Sequence, residues 1–317
     1  MKKAVPANPK RVVQMLVVMA CAIGLVAAAS GQALAKTSAS KKPTSSRKSK
    51  LKPTTPISKG STYLALGDSV TFGYQEPTVV PTPNYANASS FLGYPEMLGS
   101  ELHLKVVNAA CPGETSASMI NASAQSNGCE NSPSPTAVPY RAHFPLHASY
   151  TGSQLAFAVS YLKKHQNVRL VSLMIGANDG LLCEESTADH CTSFAEQAAL
   201  LTGIEKNIHT ILSAIRNKAH YNGQLAIVNY YSIDSASATD NEQETLLNQG
   251  IDGAAKPFHV VVADGFGSFA AASVDSGNDT CKAGLLTQLS TGGCGIHPSY
   301  AGASLLAQSL EKVIRVF

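Results

Sequence analysis

The sequence predicts an α/β protein built on a parallel sheet covered on both faces by helices. Three observations carry that prediction. Short apolar runs of strand length alternate with amphipathic stretches of helical period along the chain. Several of these runs stop abruptly at turn residues, as at Gly67-Asp68-Ser69 and Gly176-Ala177-Asn178-Asp179. The most apolar run, 168–175, is nearly continuous, as expected of a central strand buried on both faces.

The elements follow in order. Residues 63–66 form the first strand, ended by Gly67 as a tight turn, and Ser69 stands at its carboxyl end. Residues 74–90 are rich in Pro, Asn, Ser and Tyr and read as a long loop. Residues 90–103 form a helix with Leu92, Met97, Leu98 and Leu102 as its apolar face, despite two glycines. A second strand spans 104–108. Residues 127–150 are Pro-rich and too long for a mere connector, which points to a binding or lid loop. Residues 153–164 form a helix, 168–175 the central strand and 193–218 a long amphipathic helix. Residues 225–230 are a strand. Residues 239–255 are a helix capped by Thr239 or Asp240. The last strand covers 259–263 and the closing helix 299–316. No internal repeat is visible.

The amino terminus differs in kind. Lys2, Lys3, Lys10 and Arg11 precede an apolar run from Val12 to Ala29, and Ala33-Leu34-Ala35 fits a small-x-small cleavage site. Residues 1–35 therefore read as a secretory signal peptide; the competing reading is an uncleaved membrane anchor. Residues 36–60 are Ser, Thr, Pro and Lys without one acidic residue, which reads as a disordered basic tether. The folded domain is assigned to 61–317.

This division changes the meaning of the net charge of +3. Twelve of the 24 Lys and Arg precede residue 61 and all 21 Asp and Glu follow it, so the folded part is net −9. An acidic domain excludes nucleic acid as the expected partner. The tether, at +8, could associate with an anionic cell surface.

Six cysteines remain once Cys21 is set aside with the signal segment: Cys111, Cys129, Cys183, Cys191, Cys281 and Cys294. An even count in a secreted chain suggests three disulfides. Clustering along the chain favours Cys111–Cys129, Cys183–Cys191 and Cys281–Cys294. No close Cys-x-x-Cys pair or His-Glu-x-x-His supports zinc. His143 and His147 are separated by Pro145, which argues against one helical face.

Four segments lie at strand ends or before a helix. They are Gly67-Asp68-Ser69, the stretch from Asn108 through Cys111-Pro112-Gly113-Glu114-Thr115, Gly176-Ala177-Asn178-Asp179, and Cys294-Gly295-Ile296-His297-Pro298. All four converge at one sheet edge if the strands are parallel. Acyl transfer needs that convergence: a serine hydroxyl requires an imidazole to take its proton, and the tetrahedral intermediate requires donors aimed at its oxyanion. The amides of Ser69 and Gly113 and the side-chain amide of Asn178 are suitable donors. There is no Gly-x-Ser-x-Gly elbow.

With these four blocks in this order, the sequence resembles the SGNH, or GDSL-type, esterase/lipase family over 61–317, and its cysteine pairs look like those of secreted, disulfide-bearing actinobacterial-type members. The resemblance implies a three-layer α/β/α sandwich with a mostly parallel, flavodoxin-like five-stranded sheet. It implies a Ser69 nucleophile, an oxyanion hole of Ser69, Gly113 and Asn178, and His297 as general base. It further implies a carboxylic-ester hydrolase that takes a small-molecule or lipid ester and needs no metal or organic cofactor; with the signal-like amino terminus, the expectation is a secreted protein, taken as a monomer. Competing readings are a carbohydrate O-deacetylase and a non-catalytic surface or glycan-binding protein on the same fold. Asp68 and Asp179 read as structural turn residues. Tyr74, Tyr85, Tyr140 and Phe144 are candidates for the pocket wall.

The chain departs from the family pattern in one place. Relatives often write the last block as Asp-x-x-His, with the acid orienting the imidazole, and some carry the acid one residue later. Here these positions are Cys294 and Gly295. The expected substitute is a backbone carbonyl near Cys294, with Asp275 or Asp279 folding back as the alternative.

Overall fold

The computed structural model describes residues 55–134 and 138–317. The signal segment and the tether up to residue 54 lie outside the described residues. The tether reading ends too late, however. Ile57 is buried and pairs in parallel with Val316, its N–H donating to the Arg315 carbonyl at 2.8 Å. An apolar residue that can pair with the closing segment belongs to the fold, whatever the composition around it.

Five strands form one sheet: β1 (Thr62–Gly67), β2 (Lys105–Asn108), β3 (Val168–Met174), β4 (Gln224–Val228) and β5 (Val261–Ala263). Their order is β2-β1-β3-β4-β5 and every pairing is parallel. β1, β3 and β4 occupy the middle, and their residues are almost wholly buried. Parallel strands covered on both faces need no polar face, which is why these segments read as continuous apolar runs.

The predicted helices are α2 (Tyr94–Glu101), α5 (Gln154–Lys164), α7 (Phe194–Ser213), α8 (Ala238–Ala255) and α10 (Tyr300–Glu311). All but α2 begin at a serine cap. The hydroxyls of Ser153, Ser193, Ser237 and Ser299 accept the N–H groups of Ala156, Glu196, Asp240 and Gly302. Ser237, not Thr239 or Asp240, caps α8, its hydroxyl accepting the Asp240 N–H, and Asp240 lies in the first turn, where an acid complements the helix dipole. α7 stops at Ser213 and passes into one π turn over Ala214–Lys218.

Short helices went unread: α1 (Ser69–Phe72), α3 (Ser116–Ile120), α4 (Tyr140–His143), α6 (Ala177–Ser186) and α9 (Gly265–Ser273). Most are too brief to show a hydrophobic period. α2, α9 and α10 pack together, while α3, α5, α7 and α8 pack among themselves, giving a helical layer on each side of the sheet. Among the described residues, no helix is long and apolar enough to cross a membrane.

Beyond the sheet lies an antiparallel hairpin, β6 (Leu286–Gln288) and β7 (Cys294–Pro298). Val79 extends this ladder by bridging Leu289, and the Ser290 N–H donates to the Thr78 carbonyl at 2.7 Å. The loop after β1 is thereby fastened to the strand that carries His297. Cysteine pairs join Cys111 to Cys129, Cys183 to Cys191 and Cys281 to Cys294, with Cα separations of 5.7, 5.4 and 5.7 Å.

Candidate active site

Ser69 is the first residue of α1, directly beyond the carboxyl end of β1. Its turn is held from behind by Asp68, which is 1 % exposed. One Asp68 carboxylate oxygen accepts the Val70 N–H at 3.0 Å, and the other accepts the Tyr230 hydroxyl at 2.5 Å. Asp68 is thus the structural turn residue expected of it. Ser69 itself is half-buried and reachable from solvent.

His297 reaches Ser69 from β7, with Nε2 2.9 Å from the serine Oγ. The other ring nitrogen, Nδ1, lies 2.8 Å from Glu76 Oε1. A carboxylate only accepts, so Nδ1 carries the ring proton and Nε2 presents its lone pair to the serine hydroxyl. Glu76 Oε1 also accepts the backbone N–H of Ile296 at 2.9 Å and of His297 at 3.3 Å, and Oε2 accepts the Thr287 hydroxyl at 2.6 Å. Burial alone would raise this carboxyl, but the bonds and charge of His297 and the Thr287 hydroxyl overcome it and hold Glu76 at about 2.

This corrects the sequence expectation about His297. Its ring N–H meets neither a carbonyl near Cys294 nor Asp275 or Asp279. Asp279 is engaged with Lys282 at 2.8 Å, and Asp275 lies in a 3-10 turn after α9. The acid comes instead from the loop after α1, and Gly295 explains how. A Cβ on Gly295 would overlap the Glu76 carboxylate. The position where some relatives carry an acid is empty of side chain because Glu76 fills that space. One signal was present in the sequence: between Asp68 and Glu96 the chain has a single charged residue, Glu76.

Gly113 and Asn178 come to the same edge. Gly113 has φ +80°, and a Cβ there would strike the Asn127 carbonyl, so both conformation and space demand glycine. Asn127 joins the two residues: its N–H donates to the Gly113 carbonyl at 2.7 Å and its Nδ2 to Asn178 Oδ1 at 3.2 Å. Asn178 lies in the first turn of α6 and is nearly buried. Asp179 is structural here too, accepting the Ser116 N–H at 2.8 Å and its hydroxyl at 2.5 Å, with Asn207 donating to that hydroxyl at 2.9 Å.

The four loop aromatics also meet. Tyr74, Tyr85, Tyr140 and Phe144 join Phe72 and Phe91 in one cluster, and Tyr74 stands 5.0 Å from the His297 ring in a T-shaped contact. A separate groove of about 270 Å³ lies past Asp179, floored by Leu182, Leu200 and Ile204. Neither Ser69 nor His297 lines it.

Tyr231 follows Tyr230 and bonds the Ile296 carbonyl at 2.7 Å, beside His297. One dipeptide after β4 therefore braces both the serine turn and the histidine strand. Replacing Tyr231 by phenylalanine is expected to lower kcat about two- to tenfold, the worth of one net hydrogen bond. Steady-state kinetics with unchanged KM would show it; an unchanged kcat would show that β7 needs no such brace.

Several carboxyls are pushed up chiefly by burial: Asp68 and Asp179 to about 6, Glu96 to about 7 and Glu244, whose Oε2 has no partner, to about 8. Their folded values exceed the unfolded ones, so between about pH 4 and pH 8 the native state holds protons that the unfolded chain has released. Stability therefore falls as pH rises through that window. Melting temperature is expected to be highest near pH 5 and to decline toward pH 8, less steeply in Glu244→Gln. A rise from pH 5 to pH 8 would contradict the assignment.

Comparison with known proteins bears on the family and the fold. Residues 65–305 match the GDSL-like lipase/acylhydrolase family. No curated protein matches the chain. Among solved structures, phospholipase A1 from Streptomyces albidoflavus is similar with a TM-score of 0.51 and 17 % identity, covering 80 % of this chain and 99 % of that one. The lipase Lip_vut3 from a goat rumen metagenome has a TM-score of 0.52 at 13 % identity, covering 80 % and 96 %. A serine-to-alanine mutant of the acetylxylan esterase Axe2 from Geobacillus stearothermophilus has 0.50 at 16 %, covering 81 % and 95 %. At these identities the likeness establishes the fold, and the family match extends over most of the sequence. The chain belongs to the GDSL-like lipase/acylhydrolase family.

Proposed function

We propose that the protein is a secreted serine carboxylic-ester hydrolase. The observation that carries the reading is the unbroken chain Ser69 Oγ, His297 and Glu76, with contacts of 2.9 and 2.8 Å. In this mechanism His297 Nε2 takes the Ser69 proton as Oγ attacks the ester carbonyl. The Ser69 and Gly113 amides and the Asn178 side-chain amide bind the oxyanion. His297 then returns the proton to the leaving alcohol. In the second half it deprotonates water, which cleaves the acyl-enzyme and frees Ser69. Glu76 keeps the ring in the required tautomer and stabilises the imidazolium.

Secretion is supported by the cysteine pairs and by the signal-like amino terminus. The substrate is a small-molecule or lipid ester, the tether serves an anionic surface, and the enzyme acts as a monomer without nucleic acid. The similar structures include a phospholipase and an acetylxylan esterase.

The test is twofold. A fluorophosphonate should add one phosphonyl group to Ser69, located by peptide mass, and p-nitrophenyl esters from acetate to palmitate should be hydrolysed. Folded protein that neither labels nor hydrolyses any ester would favour a non-catalytic binding protein.

A further inference from the structure

Gln154 is the first residue of α5 and is completely buried. A primary amide at zero exposure must find its partners in the protein. It finds three. Its Oε1 accepts the Gly67 N–H at 2.7 Å, and its Nε2 donates to the Gly67 carbonyl at 2.9 Å and to Glu114 Oε2 at 3.1 Å. Gly67 is the last residue of β1, two before Ser69, and Glu114 directly follows Gly113.

Glu114 is equally buried, and its Oε1 accepts the Ser118 hydroxyl at 2.5 Å. The Gly67 carbonyl also accepts the Cys111 N–H at 3.2 Å. One side chain from a third element thus spans the gap between the serine turn and the Gly113 loop. Nothing in proton transfer uses it.

We propose that Gln154 is a positioning residue for the oxyanion hole: by bridging Gly67 and Glu114, it sets the separation between the Ser69 and Gly113 amides. The geometry explains why a buried acid is tolerated beside Gly113. Burial and neighbouring Glu130 raise the Glu114 carboxyl, against the bonds of Ser118 and Gln154 and the charge of Arg141. The inference rests on the reading of Ser69, Gly113 and Asn178 as an ester-hydrolysing site.

A loosened hole has a signature that general loss of structure lacks. Donors spaced for an ester oxygen serve poorly for the larger, weaker-accepting sulfur of a thionoester. Damage to the hole therefore lowers oxoester turnover while leaving thionoester turnover nearly unchanged; damage to Ser69, His297 or the fold lowers both. The experiment compares p-nitrophenyl acetate with O-p-nitrophenyl thionoacetate, using the full chain and Gln154→Met, which is close in volume but makes none of the three bonds.

The expected result is a fall of about 30- to 100-fold in kcat for the oxoester, the scale of a misplaced donor, with KM changed less than about threefold. The thionoester rate should change less than about threefold. Should Gln154→Met fail to fold, Gln154→Asn retains the amide but is one methylene too short for all three partners, and it should show the same selective loss. Equal loss on both substrates, or an oxoester kcat within about threefold of the parent, overturns the proposal. If the parent chain takes no fluorophosphonate label and hydrolyses no p-nitrophenyl ester from acetate to palmitate, it is the reading of the site that fails.

Discussion

Truncating Glu76 to alanine is expected to lower kcat about 10⁴-fold, the scale seen when a triad carboxylate no longer fixes the tautomer of its histidine. Glutamine at this position should be milder, and the structure says why. Three N–H groups converge on Glu76 Oε1, from Ile296, the His297 backbone and the His297 ring. An amide placed here turns its oxygen toward those donors and its NH₂ toward the Thr287 hydroxyl, which can accept. The tautomer survives and only the charge is lost. A charge-assisted bond is worth about 1.5–3 kcal/mol, so Glu76→Gln should lose about 10- to 100-fold. KM should hardly move in either variant. Asp275→Ala and Asp279→Ala should stay within about twofold, since neither touches the ring. A Glu76→Ala enzyme within tenfold of the parent would return the orientation of His297 to the backbone.

The same pair has a pH consequence of definite sign. The folded value of Glu76, about 2, lies below its ordinary one. Its contribution to stability is therefore complete above the unfolded value, about 4.5, and is lost as pH falls toward 2.

The second large effect concerns a residue with no side chain. Gly295→Ala is expected to cost about 10²-fold in kcat, because its Cβ would occupy the space of the Glu76 carboxylate and displace it by roughly an ångström. Gly295→Asp distinguishes space from strain. In the parent enzyme it sets two carboxylates against each other, and like charges so placed cannot both ionise without cost. In Glu76→Ala the same aspartate enters a vacated site beside the His297 ring and should restore at least about tenfold of the lost rate. Kinetics of the four proteins in this cycle give the coupling directly. Harm of equal size in both backgrounds would show that position 295 and Glu76 do not compete for one place.

Much of the fold was legible in the chain because its signals are local. The strands at 63–66, 168–175 and 225–230 announced themselves as apolar runs, and the longer helices by their period. Cysteine pairing was legible because each partner lies within 18 residues of the other. Helices such as α3, of five residues, were not, since little more than one turn shows no periodic face. Ile57 was hidden by the basic composition around it. Ser69, Gly113, Asn178 and His297 could be read as a set because each belongs to a short motif at a strand or helix end.

The order of those motifs along a parallel sheet, with turn residues at the strand ends, was determined by sequence alone. It required only that like strands lie side by side. The partner of His297 was decided by tertiary structure. Glu76 stands 221 residues away, in a loop without periodicity or motif. It reaches the ring because Val79 pairs with Leu289 and Gly295 leaves room. No local preference encodes a contact of that kind. It exists only when the hairpin, the loop and the absent side chain occupy one space together.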